Sequence, residues 1–442
     1  MTTPADICVT ADWILPVDRP PIRHGMITIA DGRIASLHSI DDPTQFREDR
    51  GDTQCKQCVR YGNVAILPGL INAHTHLDLS GWSHTFAGRP KLWEWIPEVV
   101  RFRRSESYHP GQAIEDGLRA ALAGGAVATV DVIPPDWLTW DWPHEKREGW
   151  TDDRAWLPKS GLTRLRVFSF IECLAPTGVM RIPPSELFDR HRKACLRLGW
   201  HPAISPHAPY TVPLEILEEV VKLAEDRDLI LAMHLAETAE EVLFLATGEG
   251  PFREMLEKLS AHKPGVFRPG RTLKDVLKVL CRAPRVLIIH GNYLTEPEIS
   301  LLSRFADRVA VVYCPRSHEF FGHAHYPLEQ FLTASIPVLV GTDSRASHPD
   351  LSIFGELQAA RRRHPELKAE TIIRMGTTDA ARFLDCDGDL GRLAVGRPAT
   401  FSVIELPSRY ESDDPYEAVL SSQSHVRAVW IDGDVVYEHR GA

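Results

Sequence analysis

From residue 65 to residue 342 the chain repeats one rhythm: a short apolar run, then a longer segment whose hydrophobic positions recur at helical spacing. The apolar runs fall near 65–74, 127–133, 164–172, 201–207, 229–235, 285–291, 308–314 and 337–342. Between them lie helix-period stretches such as Pro213-Leu-Glu-Ile-Leu-Glu-Glu-Val-Val-Lys-Leu-Ala and Thr295-Glu-Pro-Glu-Ile-Ser-Leu-Leu-Ser-Arg-Phe. Strands alternating with helices predict parallel βα units. Eight such units closing on themselves form a (β/α)8 TIM barrel, whose active site lies at the C-terminal ends of its strands.

Both ends of the chain follow a different pattern. Residues 6 to about 63 read as short strands, with Asp31-Gly32 between two apolar stretches as a hairpin turn. The C-terminal part repeats this, with Asp432-Gly433 as its turn. The expected fold class is therefore α/β: a barrel over 64–390 and a small β-sandwich assembled from 1–63 and 391–442. Two connections exceed ordinary loop length. Pro134 to Gly161 carries Trp137, Trp140, Trp142, Trp150 and Trp156 and reads as a lid or as an excursion packed on the barrel. Glu249 to Arg282 is charged and mixed, and predicts added helical pieces.

Composition narrows the function classes. Hydrophobic residues make up 43% and charged residues 25% of 442, ordinary for a globular protein. A formal charge of −10 argues against nucleic acid as the main partner. There is no signal-peptide pattern at the start, and no apolar run approaches the ~20 residues of a membrane span. A soluble, cytoplasmic enzyme of a small molecule is expected, with a homodimer as the symmetric default. Eight cysteines are too sparse for a disulfide scaffold. Cys55 and Cys58 have metal or redox spacing but no second pair, and read as reduced thiols in a connecting loop.

The candidate chemistry stands at the ends of the apolar runs. His74 and His76 close the run Ala65-Ile-Leu-Pro-Gly-Leu-Ile-Asn-Ala-His-Thr-His, and residues i and i+2 of a strand point to the same face. Two imidazoles side by side are half of a divalent-metal site. His207, His234, His290 and Asp343 end later runs, where ligands gathered round a barrel mouth would stand.

With those residues in view, the chain resembles the amidohydrolase superfamily, in the branch that holds chlorohydrolase-like, guanine-type and adenosine-type deaminases. The matching segments are Pro68-Gly-Leu-Ile-Asn-Ala-His-Thr-His, Ser205-Pro-His-Ala-Pro-Tyr-Thr, His234-Leu-Ala-Glu-Thr, His290-Gly-Asn-Tyr, Cys314-Pro-Arg-Ser and Gly341-Thr-Asp-Ser. The resemblance implies one divalent ion, Zn²⁺ or sometimes Fe²⁺, held by His74, His76, His234 and Asp343. Three neutral imidazoles and a carboxylate suit such a metal, which lowers the pKa of bound water from ~15.7 toward ~7. The fourth strand ends in Ser205-Pro-His207 without the lysine that two-metal relatives carry, which implies a single ion. Asp343 would act as general base, Glu237 would pass a proton to a ring nitrogen, and His290 would stabilise the tetrahedral centre. His207 would touch the heterocycle. The implied reaction is hydroxide attack on an amidine-like carbon with loss of ammonia.

Each position also has a plain structural reading. Glu237 could cap the helix that Glu237-Thr238-Ala-Glu-Glu begins. Asp78 serves either to orient a ligand or to hold the strand end, and the sequence leaves both open. His318, His323 and His325 are expected to be exposed. In Lys91-Leu-Trp-Glu-Trp-Ile-Pro-Glu-Val-Val-Arg-Phe-Arg-Arg-Ser, Trp95 stands where S-adenosylhomocysteine and methylthioadenosine deaminases place a tryptophan. Where those enzymes grip the ribose with a glutamate, this chain has Arg101, Arg103 and Arg104. That combination is most similar to aminodeoxyfutalosine deaminases of menaquinone biosynthesis, whose substrate carries a benzoate that a guanidinium fork would suit. Dechlorination, cyclic-amide opening and a non-catalytic scaffold are the competing classes.

Overall fold

The computed structural model describes residues 6–41, 55–84, 86, 88–139, 164–409 and 413–439. Five strands precede the barrel: β1 (Ile7–Ile14), β2 (Ile22–Ala30), β3 (Arg33–Ser39), β4 (Gln57–Arg60) and β5 (Val64–Pro68). Eight form it: β6 (Leu70–Thr75), β7 (Ala126–Ile133), β8 (Arg166–Cys173), β9 (His201–Pro206), β10 (Ile230–Leu235), β11 (Arg285–His290), β12 (Val309–Tyr313) and β13 (Val338–Val340). Three follow: β14 (Phe401–Glu405), β15 (His425–Ile431) and β16 (Asp434–Glu438).

The eight barrel strands pair in parallel and in chain order, β6 to β13. Seven of them, all but β9, have at most one residue short of full burial, as strands covered by helices outside and by packed side chains inside must be. Closure between the last and first strands depends on a polar clamp at their ends. The amides of Thr342 and Asp343 both donate to the carbonyl of His74 at 3.0 Å. Asn72 is fully buried; its side chain accepts from the Thr342 amide at 3.0 Å and donates to the Thr342 hydroxyl at 2.8 Å. The clamp sets His74 and Asp343 side by side, although the sequence separates them by most of the barrel.

The first apolar run divides, contrary to the expectation that 65–74 is one strand and that the barrel begins at 64. Val64–Pro68 belongs to the small sheet, antiparallel to β14 and parallel to the end of β1. Leu70–Thr75 belongs to the barrel, so the chain passes between the two at Gly69. A Cβ there would come within 2.4 Å of Val127, so the crossing requires glycine. The N- and C-terminal strands join in a single sheet ordered β16-β15-β14-β5-β1-β2-β3, with β4 alongside β1. Its core packs Val9, Ile14, Ile27, Ile66, Phe401 and Trp430. Both Asp-Gly turns form hairpins as expected. Asp31 and Gly32 have φ of 49° and 72°, and Asp432 and Gly433 of 52° and 83°, the two left-handed positions that such a turn needs.

Other expectations are corrected. Cys55 is not a free loop thiol: it is disulfide-bonded to Cys8, brought near because β4 lies along β1. Cys58 sits on β4, opposite Cys8 in the register, and is free and exposed. The Glu249–Arg282 segment contains the expected helices, Pro251–Lys258 and Leu273–Leu280. Trp137 is buried and stacks on Trp200, so it packs on the barrel. Trp140, Trp142, Trp150 and Trp156, on which a lid would depend, lie outside the described residues. No helix among the described residues is long and apolar enough to cross a membrane.

Candidate metal centre

The strand ends bring five side chains to one point at the barrel mouth. His74, His234 and His290 form one trio, and His74, His76 and Asp343 another; within each, one ligand atom per residue lies within 4.8 Å of the others. His76 Nε2 is 3.3 Å from His234 Nε2, and Asp343 Oδ1 is 3.7 Å from His74 Nε2 and 3.9 Å from His76 Nε2. Donor atoms round one tetrahedral zinc ion stand about 3.3–3.6 Å apart.

The hydrogen bonding suits a cation there. His234 Nδ1 donates to the His207 carbonyl at 3.1 Å, which leaves Nε2 with a bare lone pair aimed at His76. Both ring nitrogens of His74, and Nδ1 of His76, are buried without a hydrogen bond. Burial, followed by the nearby imidazole of His74, pushes His76 and His234 well below the ordinary histidine value, so the rings are neutral. Buried lone pairs that face one another are costly unless something positive lies between them. The donor set fits a borderline divalent ion.

Backbone shape aims these groups inward. Ala236, His290 and Asp343 all adopt left-handed φ, at 52°, 70° and 58°, where the chain turns off the strand ends. Such residues cost roughly 1–3 kcal/mol each and need support from their surroundings. For Asp343 the support is the clamp described above, together with the hydroxyls of Ser317 and Ser347. These donate to Oδ2 at 2.7 and 3.2 Å and leave Oδ1 turned to the histidines. For Ala236 it is Glu241, a fully buried carboxylate that accepts from the amides of Ala236 and Glu237 at 2.9 Å each. Burial raises Glu241 to about 7.

Glu237 does not cap the helix. Thr238 does, accepting from the Glu241 amide at 3.1 Å, and the Glu237 carboxylate instead lies 3.6 Å from His290 Nε2. Glu241, which sequence reasoning passed over, is legible afterwards as the fourth residue of Thr238-Ala-Glu-Glu, a helix-start pattern. Replacing Glu241 with alanine leaves two amides unpaired in the interior, at about 1–3 kcal/mol each. Urea unfolding is expected to show a loss of that order for Glu241→Ala and a smaller one for Glu241→Gln; an unmoved midpoint for both would refute the support role.

Around the mouth, His207 stands beside the cluster, its ring 5.2 Å from that of His234. The Trp95 indole donates to the Ala346 carbonyl at 3.0 Å, three residues beyond Asp343, which places the ring in the wall. The arginines behave differently from one another. Arg103 Nε and Nη2 donate to the two oxygens of Asp78 at 2.9 and 3.2 Å, and Tyr108 also donates to Asp78 at 2.8 Å. Asp78 is thus an anchor for Arg103. Arg101 pairs with Glu98 on an exposed face, and Arg104 is exposed. The expectation of an open guanidinium fork is not met by Arg101 or Arg103, because acidic neighbours already fill both. His318 corrects its exposed reading: the helix Pro315–Phe320 turns it inward against Tyr313 and Tyr326, and it is 3% exposed. His323 is half-buried, while His325 is exposed.

Comparison with known proteins gives the family and the fold. The chain is 28% identical over 459 residues to a 5-methylthioadenosine/S-adenosylhomocysteine deaminase of Saccharophagus degradans, covering 99% of this chain and 93% of that one. It is 29% identical over 334 residues to an aminodeoxyfutalosine deaminase of Deinococcus radiodurans, covering 72% and 73%. The crystal structure of Helicobacter pylori aminofutalosine deaminase with methylthio-coformycin superposes with a TM-score of 0.77 at 18% identity, covering 97% of this chain and 100% of the other. The amidohydrolase family pattern matches residues 184–436, more than half of the sequence. The chain belongs to the amidohydrolase family.

Proposed function

We propose that this protein is a metal-dependent hydrolase that releases the amino group of an adenosine-like nucleoside as ammonia. The observation that carries the reading is the Glu237 carboxyl beside His290 at the edge of the histidine cluster. His74, His76, His234 and Asp343 would hold the ion, Zn²⁺ first and Fe²⁺ as the alternative. When bound, the ion supplies a water acidic enough to be nucleophilic near neutral pH.

The remaining work falls to this chain's own groups. Asp343 keeps one oxygen committed to two serine hydroxyls and the other facing the mouth, where it can take a proton from the attacking water. Burial, then the charges of Asp343 and Glu241, push Glu237 well above the usual carboxylate range, so it holds a proton to give. A neutral purine must gain a ring proton as the carbon becomes tetrahedral, and the departing amine must then gain a proton that a departing halide does not need. Glu237 therefore favours deamination over dechlorination. His290 is positioned to hydrogen-bond the oxygen that adds. His207 and Trp95 flank the space left for the heterocycle.

Among adenosine-like compounds we favour 6-amino-6-deoxyfutalosine, which the loop motifs and the Deinococcus relative support. Methylthioadenosine and S-adenosylhomocysteine come second, on the near full-length likeness to the Saccharophagus protein. The test is ammonia release from adenosine, methylthioadenosine, S-adenosylhomocysteine and aminodeoxyfutalosine, before and after chelation and zinc return. Turnover of at least one, lost on chelation and regained with the metal, is expected. Chloride release from a chlorotriazine with no ammonia from any nucleoside would overturn the proposal.

A further inference from the structure

Beyond His207, away from the histidine cluster, the mouth holds a carboxylate with nothing to bind. Glu172 ends β8, is only 3% exposed, and accepts no hydrogen bond among the described residues. Its Oε1 lies 3.7 Å from His207 Nε2, too far for a direct hydrogen bond. When the Thr211 hydroxyl donates to the Ala208 carbonyl at 3.1 Å, it accepts from His207 Nδ1 at 2.6 Å. That assignment puts the ring proton on Nδ1 and a lone pair on Nε2. Two acceptors therefore face a common gap, and what fits there is a hydrogen-bond donor. Arg103 is the nearby cation, but its fork is spent on Asp78.

We propose that Glu172 recognises the sugar hydroxyls of the substrate and is a specificity-determining residue. The inference rests on the deaminase reading above and deepens it. With the exocyclic amine of an adenosine-like molecule at the histidine cluster, the base spans the space beside His207. The donors left at its far end are then the ribose hydroxyls. Burial raises Glu172 to about 7, a value that Arg103 holds down against the further push of Asp78. An ionised carboxylate there takes two hydroxyl donors, whereas a substrate without them leaves it buried and unpaired.

The test compares kcat/KM for adenosine and 2′,3′-dideoxyadenosine in the unmodified protein, in Glu172→Gln and in Glu172→Ala. In the unmodified protein adenosine is expected to lead by roughly ten- to hundredfold, as hydrogen bonds to a charged group allow. In the variants that ratio falls toward one, chiefly through a higher KM for adenosine. Metal content stays unchanged. Glu172→Gln keeps the shape of the site, so it serves if the alanine variant does not fold. A ratio unchanged in Glu172→Gln, or no preference in the unmodified protein, overturns the assignment and leaves the deaminase reading standing. Absence of ammonia from both nucleosides, and from methylthioadenosine, S-adenosylhomocysteine and aminodeoxyfutalosine as well, with metal supplied, defeats both readings.

Discussion

Replacing Asp343 with alanine is expected to abolish metal retention and to lower kcat by at least about 10³-fold, since the pKa of water without a metal returns toward ~15.7. The residue does three things at one point. Its free oxygen faces His74 and His76 at 3.7 and 3.9 Å, its other oxygen takes the Ser317 and Ser347 hydroxyls, and its amide closes the barrel on the His74 carbonyl. The alanine variant keeps the amide, so the barrel should fold; circular dichroism checks this. Metal analysis after dialysis should find about one equivalent in the unmodified protein and far less in the variant. Ser317→Ala, which removes only an orienting hydroxyl, is expected to weaken metal affinity by about 10–100-fold. A fully active, metal-replete Asp343→Ala protein would remove Asp343 from the metal site and from proton transfer.

Glu237→Gln carries the second large effect. The amide has nearly the shape of the carboxyl but no acidic proton, so a loss of about 10²–10⁴ in kcat for ammonia release is expected. Metal content should not change, because Glu237 faces His290 and is not in either ligating trio. The discriminating comparison uses a 6-chloropurine nucleoside, whose leaving group needs no proton. Its turnover is expected to fall far less than that of the amine. Equal losses on both compounds would show that the Glu237 proton serves the ring nitrogen alone and not the departing amine.

Much of this architecture was readable from local signals. The run at 229–235 became Ile230–Leu235 and that at 127–133 became Ala126–Ile133, because a short apolar run bounded by helix-period segments has few other ways to bury itself. Asp31-Gly32 and Asp432-Gly433 announced their hairpins, because the left-handed backbone they need is a property of the residues. His74 and His76 share a face by strand geometry alone. The strand-end positions of His207, His234, His290 and Asp343 followed from the same spacing.

Other features have no local signature. The split of the first run at Gly69 depends on β14, over three hundred residues away, claiming Val64–Pro68. His318 reads as a polar surface residue until the Tyr313–Tyr326 stack covers it. Arg103 looked free for a substrate until the fold laid Asp78 against it, and Glu172 and Glu241 were ordinary acids until their burial became visible. Periodicity and turn chemistry act over a few residues, so the chain carries its strands, turns and strand-end histidines openly. Which side chains share a cation, and which acids lose their water, depends on how a barrel of eight strands closes, a many-body outcome that no single segment encodes.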